Sequence, residues 1–245
     1  MRRMYECMGT VASLDIPGCE EQAVFGDVFD RLKAIENRFS TYIPHSEISQ
    51  FRSGEIVEAE LSDELQRVLA ACKSYEAKTD GYFSAYFDGT CNPTGYVKGW
   101  AIAEVARLLE SKSIDTFLIN IGGDILAQSN RPDFWKVGLQ HPLDAQKTFG
   151  TLSVDSIAVA TSGTYERGKH IINPLSQDAA LEVVGTTVFG PNIIDADVYA
   201  TAVCAMGVQT GVDFINRHAG YNALLIRDDG ALFVSDGLKK QTAQK

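Results

Sequence analysis

Asp197 and Thr201 stand four residues apart in the segment DADVYATAV (195–203). On a helix, positions i and i+4 share a face, so this carboxylate and this hydroxyl can converge on one point. Both are hard oxygen donors of the kind Mg2+ takes, and no His or Cys stands with them to indicate zinc. Two protein ligands suffice when substrate phosphates and water complete the shell. Asp195, just ahead, reads as a helix-start residue. Acidic residues in a first turn also answer the helix dipole, so the spacing alone leaves a metal site and an ordinary helix start both open.

Three other segments are rich in Gly, Ser, Thr and charge. NPTGYVKGWA (92–101) joins a Pro/Gly turn to a helix expected to begin near Lys98. Backbone N–H groups at a helix start, with a lysine beside them, suit a phosphate, and a plain loop-to-helix junction reads equally well. INIGGDI (119–125) matches no dinucleotide fingerprint, and its glycine pair reads as a bend or bulge. TSGTYERGKHIINP (161–174) offers Thr161, Ser162 and Gly163 as donors, followed by Arg167, Lys169 and His170. Taken alone, His170 beside two isoleucines reads as a partly buried, satisfied histidine.

The elements that must position these residues follow from periodicity. Val24, Phe25, Val28, Phe29, Leu32, Ile35 and Phe39 mark a helix over 20–39. A second runs from Ser62, a good N-cap, to Gly81. Two more are expected over 196–207 and 211–218. The segment CMGTVASLDIPG alternates as a strand, as do DTFLINIGGDILAQ, WKVGLQHP, SIAVATSG and EVVGTTVFG. NALLIRDDGALFVSD reads as a hairpin with Asp-Asp-Gly at its turn. Several strands follow one another too closely for crossover helices, which predicts a mixed α+β fold with a largely antiparallel sheet. With no repeat, low-complexity run or linker, 1–245 reads as one domain.

The 245 residues carry 32 acidic and 22 basic side chains, for a formal charge of −10. That balance argues against a nucleic-acid binder or a partner of anionic membranes, and an anionic substrate would need local positive charge at its site. No run is long enough to insert in a membrane. Five scattered cysteines with no C-x-x-C pair suggest reduced thiols. Together with the lack of a secretory apolar run near the N-terminus, they lead to an expected cytoplasmic location.

The order of the segments MGT (8–10), FSTYIPHSEIS (39–49), TDGYFS (79–84), NPTGYVKGWA, NIGGDI (120–125), TSGTYERGKHIINP and DADVYATAV resembles that of the ApbE family, the FAD:protein FMN transferases, from about Met8 to Gly207. The resemblance implies a single catalytic domain in which FAD, the substrate, contacts Met8, Tyr42, Tyr82, Phe83, Ser84, Asn92, Lys98 and Ile172. It further implies Mg2+ ligated by Asp197, Thr201 and the carbonyl of Gly95, with His170 moving the proton. The implied reaction joins the FMN part of FAD to a Ser/Thr hydroxyl of an acceptor flavoprotein and releases AMP. Mg2+ would neutralise the diphosphate while Lys98 and backbone amides hold its oxygens. Hydrolysis of FAD to FMN and AMP in the same site, or FAD carriage without chemistry, are the other readings. Ser84, Asn92, Asn173 and Ala200 depart from residues common in the family, where acidic side chains are frequent.

Overall fold

The computed structural model describes residues 1–141, 144–163 and 171–242, with backbone alone for 139–141, 144–149 and 240–242. Strands β1 (Arg2–Cys7) and β2 (Thr10–Asp15) form a hairpin whose two turn residues, Met8 and Gly9, both have positive φ, at 53° and 68°. Such a pair of left-handed residues matches the twist of the flanking strands. Helices α1 (Gln22–Phe39), α2 (Glu47–Ser53), α3 (Asp63–Lys78) and α4 (Thr94–Ser111) follow. Then come β3 (Phe117–Ile121), β4 (Asp124–Gln128), β5 (Trp135–His141), β6 (Asp144–Val154), β7 (Ile157–Gly163) and β8 (Val183–Gly190). Helices α5 (Ile193–Met206) and α6 (Val208–Asn216), strands β9 (Asn222–Arg227) and β10 (Leu232–Val234), and helix α7 (Asp236–Thr242) complete the chain.

Eight strands form one sheet in the order β1-β2-β3-β4-β7-β8-β9-β10, and every neighbouring pair is antiparallel. The α+β reading with antiparallel sheet therefore holds. Strands β5 and β6 leave this sheet as a separate two-stranded ribbon between β4 and β7. Helix α1 turns Val24, Phe25, Val28, Leu32, Ile35 and Phe39 inward, as its spacing predicts. Ser62 caps α3 by accepting the Leu65 N–H at 3.3 Å.

Helix α5 is different. It is buried almost all round, against α4 on one side and β7 and β8 on the other. Ala196, Ala200, Ala202 and Ala205 keep its girth small enough for that sandwich. Among the described residues, no helix is long and apolar enough to cross a membrane.

Several boundaries differ from the sequence-based expectation, each for a local reason. Helix α4 begins at Thr94 rather than near Lys98: Pro93 is its N-cap, its carbonyl accepting the Tyr96 and Val97 N–H groups at 2.9 and 3.1 Å, while the preceding Asn92 Oδ1 accepts from the Thr94 N–H at 3.3 Å and the Thr94 hydroxyl at 2.7 Å. Lys98 and Gly99 thus lie in the second turn, beyond the open N–H groups of the helix start. The glycine pair is a hairpin turn, not a bend within one strand: Gly122 and Gly123 have φ of 57° and 94°. Asn192 caps α5 and so starts it at Ile193, and α6 starts at Val208. Strands β1 and β6 and helices α2 and α7 were not anticipated; β1, for one, is exposed along most of its length and lacks a clear apolar alternation.

Candidate functional site

Helices α4 and α5 approach closely in antiparallel sense, and the candidate residues lie along their contact. At one level the Asp197 side chain, only 2% exposed, accepts the Gly99 N–H on Oδ2 at 2.7 Å. A Cβ on Gly99 would stand 2.9 Å from the Asp197 Cβ and 3.0 Å from the Ile193 carbonyl, so only glycine allows this approach. One turn along, a Cβ on Gly95 would meet the Phe83 ring at 3.2 Å and the Thr201 methyl at 3.7 Å. Gly95 therefore faces Thr201 as Gly99 faces Asp197. The i, i+4 spacing on α5 is answered by an i, i+4 pair of glycines on α4.

The sheet supplies the remaining groups. The Thr201 hydroxyl lies 3.0 Å from Ser162 Oγ on β7. Asp124, the first residue of β4, is fully buried; its Oδ1 accepts the Thr161 N–H at 3.0 Å, and Lys98 Nζ lies 2.8 Å from its Oδ2. That contact is an ion pair, and it engages Oδ2. Asp124 abuts Asp197. Burial, then repulsion from Asp124, raises the Asp197 pKa above its ordinary value, while Lys98 and the Gly99 N–H act in the other direction.

Asp195 plays a separate part. Its two oxygens accept from the phenols of Tyr75 at 2.5 Å and Tyr221 at 2.6 Å, tying α5 to α3 and to the segment before β9. Burial first, and then the Asp195 carboxylate, hold both phenols above their usual range. Two residues from Asp197, Asp195 points elsewhere, in keeping with its reading as a helix-start residue.

The proposed flavin contacts are brought together in part. Thr79 closes the 79–84 loop: its hydroxyl donates to the Tyr75 carbonyl at 2.8 Å and accepts the Phe83 N–H at 3.1 Å. Phe83 is thereby buried against Gly95, with Tyr82 and Ser84 half-buried on either side. The segment holding Ile172 abuts this loop, since a Cβ on Gly81 would stand 2.9 Å from the Leu175 side chain. Asn92 lies just before α4. Met8, in the β1–β2 turn, donates its N–H to Glu36 at 2.7 Å beside a groove of about 400 Å³ lined by Cys7, Thr10 and Glu36. That turn adjoins Gly122, whose N–H reaches the Val11 carbonyl at 3.2 Å, two residues from Asp124. Tyr42 is 91% exposed, and its ring is not drawn into the α4–α5 contact. His170, with Arg167 and Lys169, lies outside the described residues. A second depression, of about 610 Å³ around Ile16, Thr116 and Asn130, opens at the opposite end of the same strands and contains none of these residues.

The donor set fits a hard divalent cation. Thr201 faces Gly95 and, one turn away, Asp197 faces Gly99, with the buried Asp124 carboxylate beside Lys98 completing the group. No group of three or more His, Cys, Asp or Glu side chains with metal-binding geometry occurs among the described residues, so a cation here relies on hydroxyl, carbonyl and substrate oxygens as well. Sequence reasoning missed Asp124 and Gly99. The signal for Asp124 was an acidic residue heading the otherwise apolar run DILA; that for Gly99 was a glycine inside a strong helical pattern.

The ApbE family model matches residues 8–94 and 90–225, and the chain belongs to the ApbE family. It is 29% identical over 148 residues to an FAD:protein FMN transferase of Klebsiella pneumoniae, an alignment covering 56% of this chain and 46% of the relative. It is 30% identical over 162 residues to one of Treponema pallidum, covering 58% and 44%. The matched region thus spans about half the length of these curated relatives. Among solved structures, the flavin transferase ApbE of Vibrio cholerae superimposes with a TM-score of 0.80 at 21% identity, covering 98% of both chains. The ApbE protein of Thermotoga maritima does so with a TM-score of 0.83 at 18% identity, also covering 98% of both chains. At those identities the likeness is one of fold.

Proposed function

We propose that this chain is an enzyme that transfers the FMN portion of FAD to a Ser or Thr hydroxyl of an acceptor flavoprotein, with AMP as the leaving group. The observation that carries this reading is the meeting of Gly95 with Thr201 and of Gly99 with Asp197 along one helix contact, beside Lys98 and Asp124. A chain of this family has built there a buried site rich in oxygen donors, with a cation of its own.

In this reading Asp197, Thr201 and the Gly95 carbonyl hold Mg2+, which when bound offsets the charge of the diphosphate and of departing AMP. Ser162 orients the Thr201 hydroxyl. Gly99 holds the Asp197 carboxylate. Phe83 and its loop, Asn92, Ile172 and the Met8 turn surround the flavin nucleotide, and Tyr42 offers an aromatic face from the surface. His170 accepts the proton of the attacking hydroxyl, whose own pKa lies far above neutrality. The bond formed is oxygen to the phosphorus on the FMN side, and the bond broken is the phosphoanhydride to AMP.

The test is incubation with FAD, Mg2+ and a candidate acceptor protein, followed by mass spectrometry. An FMN adduct on Ser or Thr with one AMP per adduct is expected. AMP and FMN without an adduct would mean hydrolysis. FAD bound tightly with neither product formed, in the presence of a competent acceptor, would mean carriage alone.

A further inference from the structure

The ion pair between Lys98 and Asp124 was not part of the anticipated site, and it changes what Lys98 does there. Asp124 is fully buried and Asp197 nearly so, and the two carboxylates abut. One ammonium sits beside them, 2.8 Å from Asp124 Oδ2, with a side chain 27% exposed. Among the described residues, two buried carboxylates share one ammonium, so full ionisation of both leaves an excess negative charge in a place where burial makes charge costly. Asp124 is anchored through Oδ1 on the Thr161 N–H, so Oδ2 has a set direction, toward Lys98.

We propose that Asp124 and Lys98 set the affinity of this site for a divalent cation in opposite directions, Asp124 as a further carboxylate facing the ion and Lys98 as the protein's own competing charge. The inference rests on the metal assignment of the preceding section. A divalent ion at Asp197 and Thr201 gains from the neighbouring Asp124 charge and is repelled by the ammonium of Lys98, since both act over a few ångströms in a poorly solvated setting. Because the Lys98 stem reaches solvent, its ammonium can move outward, toward the phosphates of a nucleotide, when the ion takes its place. Lys98 and Asp124 are positioning residues in this scheme.

The experiment is titration of the full chain, stripped by a chelator, with Mn2+ alone, reading free Mn2+ by electron paramagnetic resonance. Asp124→Asn keeps the volume and an acceptor for Thr161 while removing the charge; it is expected to weaken Mn2+ binding tenfold or more. Lys98→Met keeps the stem; it is expected to tighten binding severalfold. Circular dichroism and thermal melting establish that each variant is folded, and if Asp124→Asn is not, the sign of the Lys98→Met change decides. A purely structural ion pair would lower both melting temperatures without shifting the affinities in opposite directions. Weaker or unchanged binding by Lys98→Met, with binding by the parent chain, overturns this inference and spares the metal assignment. No Mn2+ binding by the parent chain up to millimolar concentration overturns both.

Discussion

Single side chains divide the site's work between chemistry and access. Asp197→Ala removes the carboxylate that Gly99 bonds and that the proposed cation site needs, and turnover is expected to fall by at least 100-fold while some FAD binding remains. Activity equal to the parent at low Mg2+ would show the metal assignment to be wrong. Gly99→Ala is a subtler probe. Its new methyl would stand 2.9 Å from the Asp197 Cβ, and overpacking of this kind costs about 1–3 kcal/mol. Denaturant unfolding should show that loss, with activity falling further than stability because Asp197 is the atom displaced. The positions that the sequence reading set apart from the family's usual residues have identifiable local surroundings. Ser84 Oγ donates to Glu76 at 3.3 Å, the Asn92 amide to Asp88 at 3.5 Å, and the Asn173 amide to the Ala205 carbonyl at 3.2 Å. In each case an acceptor is already in place, and a carboxylate there would face an oxygen rather than bond to it. Ala200 is fully buried, with no solvent for a charge.

Elements hold these side chains through their ends and their ion pairs. Asn173 ties the segment after residue 170 to the C-terminal turn of α5, where carbonyls carry the negative end of the helix dipole. Asn173→Asp should therefore cost about 1–2 kcal/mol, counting the lost bond and the added repulsion; an unchanged unfolding midpoint would contradict this. At the other side, Glu64 of α3 joins Arg31 and Arg38 of α1. Burial pushes its carboxyl up, but the hydrogen bonds and charges of Arg31 and Arg38 outweigh it and leave the pKa lowered. A lowered carboxylate stabilises the fold above its unfolded pKa, and that contribution is lost as pH falls through the folded value. Melting temperature should thus drop on acidification from about pH 5, and Glu64→Gln should flatten that part of the profile. The effect will be modest, because these groups are partly solvated.

At the scale of the whole molecule, the prediction concerns ligand linkage. A ligand that binds only the folded chain stabilises it by mass action, about 2.7 kcal/mol at a hundred times its dissociation constant. For a chain of this size each kcal/mol corresponds to roughly 2–4 °C in melting temperature. FAD with Mg2+ should raise the melting temperature by several degrees more than the sum of their separate effects, since the diphosphate and the ion share one site in the proposed function. Strictly additive shifts would separate the two sites.

What the sequence determined by itself was local and periodic. The apolar spacing of α1, the cap of α3, the alternation in β7 and β8, and the oxygen donors Asp197 and Thr201 at helical spacing all depend on neighbours a few residues away. The order of seven short segments pointed to the family. The tertiary structure alone decided which distant groups share the site. Asp124 heads a strand and is silent until the sheet brings β4 beside β7 and under α4, where Thr161, Lys98 and Asp197 meet it. Gly99 is an ordinary helix glycine until α5 lies 2.9 Å from where its side chain would be. Lys98 read equally as a phosphate ligand at a helix start or as a lysine at a plain loop-to-helix junction, and became the partner of a buried carboxylate once α4 packed over β4. Each of these meetings joins residues tens of positions apart, which periodicity cannot encode and packing must supply.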